Sequence, residues 1–183
     1  MEVRFLSRAS EVNIVSGMTD DQKKEILQRL VTRVSTGLLF VELDYLPRHK
    51  NPDAAWIRNI YIMISFYTEL LLKAIFIVNN DFQSLDDLDN RLRKLGHNLE
   101  KIGAEITTEG ASGFGIKSIR LQGHEYCIET DAGSFFIQDF NDIRYDFIDG
   151  RVRTLNGSEH ELFKQQIEIM LNINGKLKPL AWN

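Results

Sequence analysis

Two oppositely charged side chains lie inside the most apolar stretch of this sequence, which runs from Ile60 to Val78. Glu69 and Lys73 are four residues apart, so on a helix they share one face and can form an ion pair worth roughly a few tenths of a kcal/mol. Because an unpaired charge in so apolar a helix would be costly, we expect a deeper partner for Glu69, such as Arg144. The pattern favours structural pairing of Glu69 over direct chemistry.

Histidine and arginine are the side chains of this chain that could act on a phosphodiester. His97 follows Gly96, which is typical of a helix end, and precedes Asn98, a typical helix N-cap. At that position a structural hydrogen bond is favoured over acid–base catalysis. Arg144 and Tyr145 combine a cation for phosphate with a ring on which a base can stack. The predicted binding residues are Arg144, Tyr145, Glu69, Lys73 and His97.

The remaining sequence offers little further chemistry. The single cysteine, Cys127, cannot form an internal disulfide and fits a reducing compartment. It lies in an alternating run without a nearby base, which favours a small packed residue over a nucleophile. The four histidines have no zinc-binding spacing, and the segment 113–115 is too short for a phosphate-binding glycine loop. We therefore predict neither a metal site nor a cofactor.

The composition is that of one soluble globular domain covering residues 1–183. A chain of 183 residues can bury about 70% of the surface that its unfolded form exposes, so it needs no disulfide or metal to hold its fold. Apolar residues make up 43%, charged residues 26%, and there are three prolines, which excludes a disordered or linker-rich chain. The net charge of -4 argues against broad nucleic-acid binding but allows a local basic patch.

Apolar residues at helical spacing predict a mainly α fold, a helical bundle. A capping box at Thr19–Gln22 begins the first helix, and the second helix is apolar around most of its circumference, which predicts a central position. Its Glu69 and Lys73 would each cost roughly 3 kcal/mol near a bilayer centre, so we predict a core helix and no membrane partner. The predicted helices are 19–38, 53–78, 84–96, a short one from 97, 139–147, and 158–175, which Gly175 ends.

The pattern changes to alternation after Thr107. The segment 111–115 is predicted to be a loop, and apolar residues then alternate with polar ones around a turn at 131–134. This predicts a small antiparallel β insertion at about 113–139. The N-terminus lacks the apolar stretch and cleavage site of a signal peptide, so we expect a cytoplasmic protein.

Three local patterns, taken in order, resemble the HEPN superfamily. They are Glu69–Ala74, Gly96–Leu99 and Asp142–Phe147, and the resemblance spans about 53–171. Members of that superfamily are helical bundles found widely in prokaryotic defence and toxin systems, and they usually work as dimers. The resemblance implies a HEPN-like bundle, with the β insertion as a departure from the bare bundle.

Active HEPN ribonucleases share an Arg, four to six residues and then a His. The histidine activates the RNA 2′-hydroxyl or protonates the leaving oxygen, and the arginine stabilises charge on the phosphate. After Arg144, the positions where the histidine should stand hold Asp149, Gly150 and Arg151. Arg91 and His97 match this Arg-to-His spacing, but Gly96, which is typical of a helix end, lies between them. Arg153 and His160 also match, across a turn, and with Arg144 they form the fallback catalytic set.

The ordered patterns and the missing histidine lead to one hypothesis. The chain would be a non-catalytic HEPN-like homodimer that binds RNA, a nucleotide or a partner protein in a prokaryotic defence or toxin–antitoxin system. Two alternatives stay open. One is a divergent metal-independent ribonuclease that uses Arg144 or Arg153 with His160, and the other is a helical interaction protein with no nucleic-acid role.

Overall fold

The computed structural model describes residues 17–46, 54–106, 108–122, 125–138 and 159–183. In these ranges the chain is mostly helical with a small antiparallel sheet, which confirms the predicted fold class. The predicted helix at 139–147 lies outside the described residues. The elements are α1 (Asp20–Phe40) with a π-helical turn (Val41–Tyr45), α2 (Ala54–Val78), α3 (Leu85–Leu95), α4 (Leu99–Glu105), α5 (Thr108–Gly113), β1 (Ile116–Gln122), β2 (Glu125–Thr130), β3 (Gly133–Gln138) and α6 (Glu159–Trp182).

Side-chain caps begin three of the helices where the sequence predicts them. The Thr19 hydroxyl accepts a hydrogen bond from the backbone N–H of Gln22 at 3.2 Å, and the Gln22 amide oxygen accepts one from the Thr19 N–H at 3.0 Å. Ser84 and Asn98 accept equivalent bonds at the starts of α3 and α4. Gly96 ends α3 with a φ of 60°, which a glycine adopts without steric cost. These boundaries are confirmed because each depends on chemistry within one helical turn.

The loop predicted at 111–115 is wrong for its first three residues. They complete α5, which runs from Thr108 to Gly113, and a turn follows at Phe114 and Gly115. The Ser112 hydroxyl donates to the Glu109 carbonyl at 2.8 Å within this helix, and Ala111 packs against the core. That tertiary contact outweighs the low helix propensity of the local glycines.

The predicted end of the last helix at Gly175 is also wrong, because α6 continues to Trp182. Leu177 and Ala181, beyond the glycine, are buried in the core. Their burial outweighs the roughly 1 kcal/mol that a glycine costs inside a helix. Pro179 also lies inside α6, where it has no backbone N–H to donate to the carbonyl of Gly175.

Helix α2 is the central element of the fold. It contacts α1, α4, β3 and α6. Its segment Trp56–Val78 is long and apolar enough to cross a membrane, but 61% of its most apolar window is buried inside the protein. Ile60, Ile64 and Ile75 are completely buried. The helix is therefore the core helix that its all-round apolar pattern predicts.

Helices α1 and α6 pack antiparallel although they are far apart in sequence. The Gln28 side chain donates to the Ala181 carbonyl at 2.8 Å. Nearer the middle of α6, the buried Asn174 amide donates to the Val31 carbonyl at 3.1 Å and to the Ser35 hydroxyl at 2.7 Å. These bonds fix the relative register of the two helices.

The three strands form the antiparallel meander that the sequence predicts, in the order β1-β2-β3. The middle strand is buried on both faces at Tyr126, Cys127 and Ile128. The Gln166 amide of α6 donates to the Phe136 carbonyl at 3.0 Å and so ties β3 to the bundle. The sheet therefore belongs to the same core as the helices.

The packing of α1 on α2 gives a stability prediction. A Cβ atom at Gly37 would overlap the Tyr67 ring of α2, whereas a Cβ at Gly175, also inside a helix, meets open space. Both Gly→Ala changes gain similar helix propensity. We expect Gly37→Ala to be less stable than Gly175→Ala by about 1–3 kcal/mol because of overpacking. Urea unfolding of the two variants measures this difference, and equal free energies of unfolding would contradict the close approach of α1 and α2.

Candidate functional site

A buried carboxylate that contacts a lysine and a histidine lies between α2 and the turn that joins α3 to α4. Oε1 of Glu69 accepts a hydrogen bond from Nζ of Lys73 at 2.6 Å, and Oε2 lies 2.8 Å from Nδ1 of His97. The Glu69 side chain is 5% exposed, Lys73 15% and His97 50%. We call these three residues the Glu69 cluster. It extends from the core to the surface.

Two local features position the Glu69 cluster. The four-residue spacing of Glu69 and Lys73 puts both side chains on one face of α2. The positive φ of Gly96 turns the chain at the end of α3, and the cap at Asn98 begins α4 directly afterwards. His97 is held between these two features, so the turn carries its imidazole to the carboxylate of Glu69.

The geometry of the Glu69 cluster offsets the desolvation of the carboxylate. Removing an ionised carboxylate from water is costly unless it is paired and hydrogen-bonded, and here each oxygen of Glu69 has a partner. A carboxylate on one ring nitrogen of a histidine fixes the orientation of the ring and favours the tautomer with a proton on that nitrogen. The cluster can therefore stabilise the fold, and it also holds a half-exposed imidazole in a defined orientation.

The structure brings together three of the predicted binding residues, Glu69, Lys73 and His97. The predicted pairing of Glu69 with Lys73 is present, and His97 is a further partner of Glu69. The other expected partner of Glu69, Arg144, lies outside the described residues. The other predicted residues, Arg144, Tyr145 and Arg153, lie outside the described residues, as do the side-chain contacts of His160, the second residue of α6.

An open groove along α1, which was not among the sites predicted from the sequence, combines cations with aromatic rings. Its volume is about 840 Å³. Among the described residues, two arginines and three aromatic side chains line it, and no acidic side chain does. We call this surface the α1 groove. Its lining residues are Gln28, Arg29, Thr32, Arg33, Thr36, Gly37, Phe40, Tyr67 and Trp182.

The two arginines of the α1 groove differ in their contacts. Arg29 pairs with Glu25 at 2.5 Å on the exposed surface. Arg33 lies 5.2 Å from the centre of the Phe66 ring, a cation–π distance. Trp182, at the end of α6, is 54% exposed. The groove therefore presents both positive charge and accessible ring surface.

Part of the α1 groove could have been found from the sequence. Arg29, Arg33 and Phe40 lie on the helix face opposite the buried Val31 and its neighbours, at helical spacing. The contributions of α2 and α6 follow only from the tertiary fold. No local pattern places Trp182 next to α1.

Cys127 is a packed side chain, as its position in an alternating apolar run predicts. Burial raises the pKa of its thiol, the nearby Glu129 carboxylate raises it further, and Arg120 opposes the shift. A raised pKa lowers the fraction of the reactive thiolate at neutral pH. This chemistry argues against a nucleophilic role. In the described ranges, no three His, Cys, Asp or Glu side chains cluster in a way that could hold a metal ion.

Comparisons with known proteins identified no relative of this chain. No protein-family model matches the chain, and neither a curated protein nor a solved structure matches it.

Neutralising the buried carboxylate should reveal how strongly the fold depends on it. We expect Glu69→Gln to lower the free energy of unfolding by about 2–4 kcal/mol, because Lys73 would keep a largely buried charge without a counter-charge. Replacing both residues, as Glu69→Gln with Lys73→Met, should cost less than the sum of the single changes. Urea unfolding provides the measurement.

The matched control is Asp89→Asn, which breaks the pair with Arg93. That pair has the same spacing, but its side chains are 59% and 78% exposed. Its loss should lower stability by less than about 1 kcal/mol. If Glu69→Gln proves as mild as Asp89→Asn, the Glu69 cluster does not anchor the fold.

Proposed function

We propose that this chain is a HEPN-like module that binds single-stranded RNA without cleaving it. The α1 groove is the observation that carries the proposal. In the proposed setting the module works as a homodimer in the cytoplasm of a prokaryote, as part of a defence or toxin–antitoxin system. Among RNA, a nucleotide and a partner protein, RNA fits the chemistry of the α1 groove best.

The α1 groove has the two components that proteins use to bind single strands. Positive charge attracts the phosphate backbone, and exposed aromatic rings stack with bases regardless of sequence. From Gln28 to Phe40 the groove follows α1 for about 18 Å at 1.5 Å per residue, the length of about five nucleotides stacked at 3.4 Å. Arg29 is paired with Glu25, so among the described lining residues Arg33 gives the groove its net positive charge, although the whole chain carries -4.

The Glu69 cluster supports the HEPN-like part of the proposal. Two of the three sequence patterns that carry the resemblance, Glu69–Ala74 and Gly96–Leu99, contribute residues to this one cluster. A shared structural role explains why the two patterns occur together. The third pattern, 142–147, lies outside the described residues.

The absence of cleavage follows from the broken motif. Arg144 has no histidine at the spacing that active relatives use. Acid–base cleavage of RNA requires a group that takes or gives a proton at the reacting oxygen. A module without that group can still bind the strand through charge and stacking.

Binding to single-stranded RNA tests the proposal directly. We expect a fluorescent oligonucleotide to bind at low salt and to be released as salt rises, because phosphate contacts release counterions. Trp182→Ala should weaken binding roughly 5- to 150-fold, since stacking is worth about 1–3 kcal/mol per base. Fluorescence anisotropy gives the affinities. RNA should also quench the exposed Trp182 more than the buried Trp56.

Leu180→Ala is the matched control for this experiment. Leu180 is exposed near the same end of α6 but does not line the α1 groove. Its replacement should leave RNA affinity unchanged. Absence of RNA binding at low salt would contradict the proposal and favour a helical interaction protein without a nucleic-acid role.

A metal-independent ribonuclease is the second candidate, and one observation favours it. Glu69 orients the half-exposed imidazole of His97, as a carboxylate does in acid–base pairs. The fallback set from the sequence, Arg144 or Arg153 with His160, would offer a second source of a proton-transferring group. A ribonuclease that uses His97 and one that uses His160 would lose activity in different variants.

Incubating RNA with the protein in a metal chelator separates these outcomes. The leading proposal expects the RNA to stay intact. Cleavage that disappears in His160→Ala at an unchanged melting temperature would establish the fallback set. Cleavage that survives in that variant but is lost in His97→Ala would place proton transfer in the Glu69 cluster.

A further inference from the structure

We propose that a cavity between the sheet, α2 and the start of α6 binds a primary ammonium group on an aliphatic chain. The cavity has a volume of about 360 Å³, within the size range of about 300–1,000 Å³ that is usual for small-molecule sites. Among the described residues, one carboxylate, two amides and three aromatic rings line it, and no lysine or arginine does. We call it the α6 cavity. Its lining includes Tyr61, Gln122, Glu125, Phe136, Leu162 and Gln166.

The strand register places three lining residues of the α6 cavity on one face of the sheet. Gln122 of β1 lies directly opposite Glu125 of β2. Phe136 of β3 lies opposite Cys127, which is two residues after Glu125 and therefore on the same face. Directly opposite side chains have Cβ atoms about 4.5–5.5 Å apart. One small group in the cavity can therefore contact both the Gln122 amide and the Glu125 carboxylate.

Gln166 of α6 supplies a hydrogen-bond acceptor that the fold leaves unused. The residue is 7% exposed, and its Nε2 donates to the Phe136 carbonyl at 3.0 Å. Because a carbonyl accepts only from the nitrogen, this bond fixes which end of the amide is the oxygen. Oε1 is buried and has no hydrogen-bond partner among the described residues. A buried acceptor without a partner is costly, so Gln166 favours a ligand that brings a donor into the cavity.

The charge of the ligand follows from these acceptors. Glu125 is the one charged side chain among the described lining residues, so the α6 cavity prefers a cation to an anion. A primary ammonium carries three N–H donors and no acceptor. It can therefore donate to the Glu125 carboxylate and to the side-chain oxygens of Gln122 and Gln166. A carboxylate that accepts from a cation makes a shorter and stronger hydrogen bond than a neutral pair does.

The apolar part of the lining indicates what the ammonium group is attached to. Phe136 and Leu162 are 45% and 52% exposed, so both offer carbon surface to a ligand. Tyr61 packs edge-to-face on Phe163, with ring centres 5.0 Å apart. Aromatic faces attract cations, and an aliphatic chain can cover the exposed leucine. This site is separate from the α1 groove and does not depend on RNA binding there.

Calorimetric titration of the whole chain at low salt tests the assignment with four probes of one chain length. We expect pentylammonium to bind about tenfold more tightly than 1-pentanol, which lacks the charge, and pentanoate not to bind detectably. Pentyltrimethylammonium keeps the charge but has no N–H donor, so it should bind about tenfold more weakly than pentylammonium. Equal binding of pentylammonium and either 1-pentanol or pentyltrimethylammonium would overturn the proposal.

Glu125→Gln should weaken pentylammonium binding about tenfold, because it removes the charge-assisted hydrogen bond. Glu129→Gln is the matched control, since Glu129 lies on the same strand and the same face but outside the α6 cavity. It changes the net charge equally and should leave the affinity within about twofold. The urea midpoint of each variant reports its folding. Equal weakening by the two variants would overturn the site, because net charge alone would then explain the binding.

The outcome for the α6 cavity is separable from that for the α1 groove. Trp182→Ala, which should weaken RNA binding, should leave the affinity for pentylammonium unchanged, because Trp182 does not line the α6 cavity. Loss of pentylammonium binding in that variant, at an unchanged urea midpoint, would overturn the assignment to this cavity.

The ammonium group could belong to a free amine or to a lysine side chain of a polypeptide. Nα-acetyl-lysine amide presents the lysine side chain with its flanking peptide groups, whereas 1,5-diaminopentane carries a second ammonium. Tighter binding of Nα-acetyl-lysine amide than of pentylammonium would support a lysine of a polypeptide as the ligand. Tighter binding of 1,5-diaminopentane would support a free diamine. Both results require the same site for the first ammonium.

Discussion

The buried carboxylate of Glu69 is the constraint on which the arrangement of this protein depends. It lies on the central helix, and a charge in such surroundings is tolerated only with partners on both oxygens. One partner, Lys73, comes from the same helix, and the other, His97, comes from a different part of the chain. The need to pair this charge therefore fixes the α3–α4 turn against α2.

The α1 groove depends on a different kind of constraint, the close packing of helix on helix. Gly37 leaves room for the Tyr67 ring, and that ring forms one wall of the groove. On the far side, the bond from Gln28 to the Ala181 carbonyl brings the end of α6, with Trp182, beside α1. The inner face of α1 is filled by aliphatic side chains, while its outer face supplies the arginines. One helix thus serves the core and the surface at once.

Local chemistry explains which features were predictable from the sequence. The caps at Thr19, Ser84 and Asn98 and the turn at Gly96 act within a few residues, and they lie where the sequence places them. The extension of α6 past Gly175 was missed because burial of later residues decides it. The Glu69–Lys73 pair was predictable from spacing, whereas its contact with His97 needs the fold. The same is true of the walls of the α1 groove, which come from separate helices.

The pairing of α1 with α6 has a consequence for the synthesis of the protein. The contacts between Gln28 and Ala181 join residues separated by 153 positions. On a ribosome, α1 is complete long before α6 leaves the exit tunnel. Until then, the apolar face of α1 that holds Val31 and Val34 is not yet covered by α6. Uncovered apolar surface on a nascent chain invites aggregation. Helix α2, which is made next and also packs on α1, can shield part of that surface during translation. Because α2 follows α1 along the chain, part of this apolar surface can be covered before α6 is made.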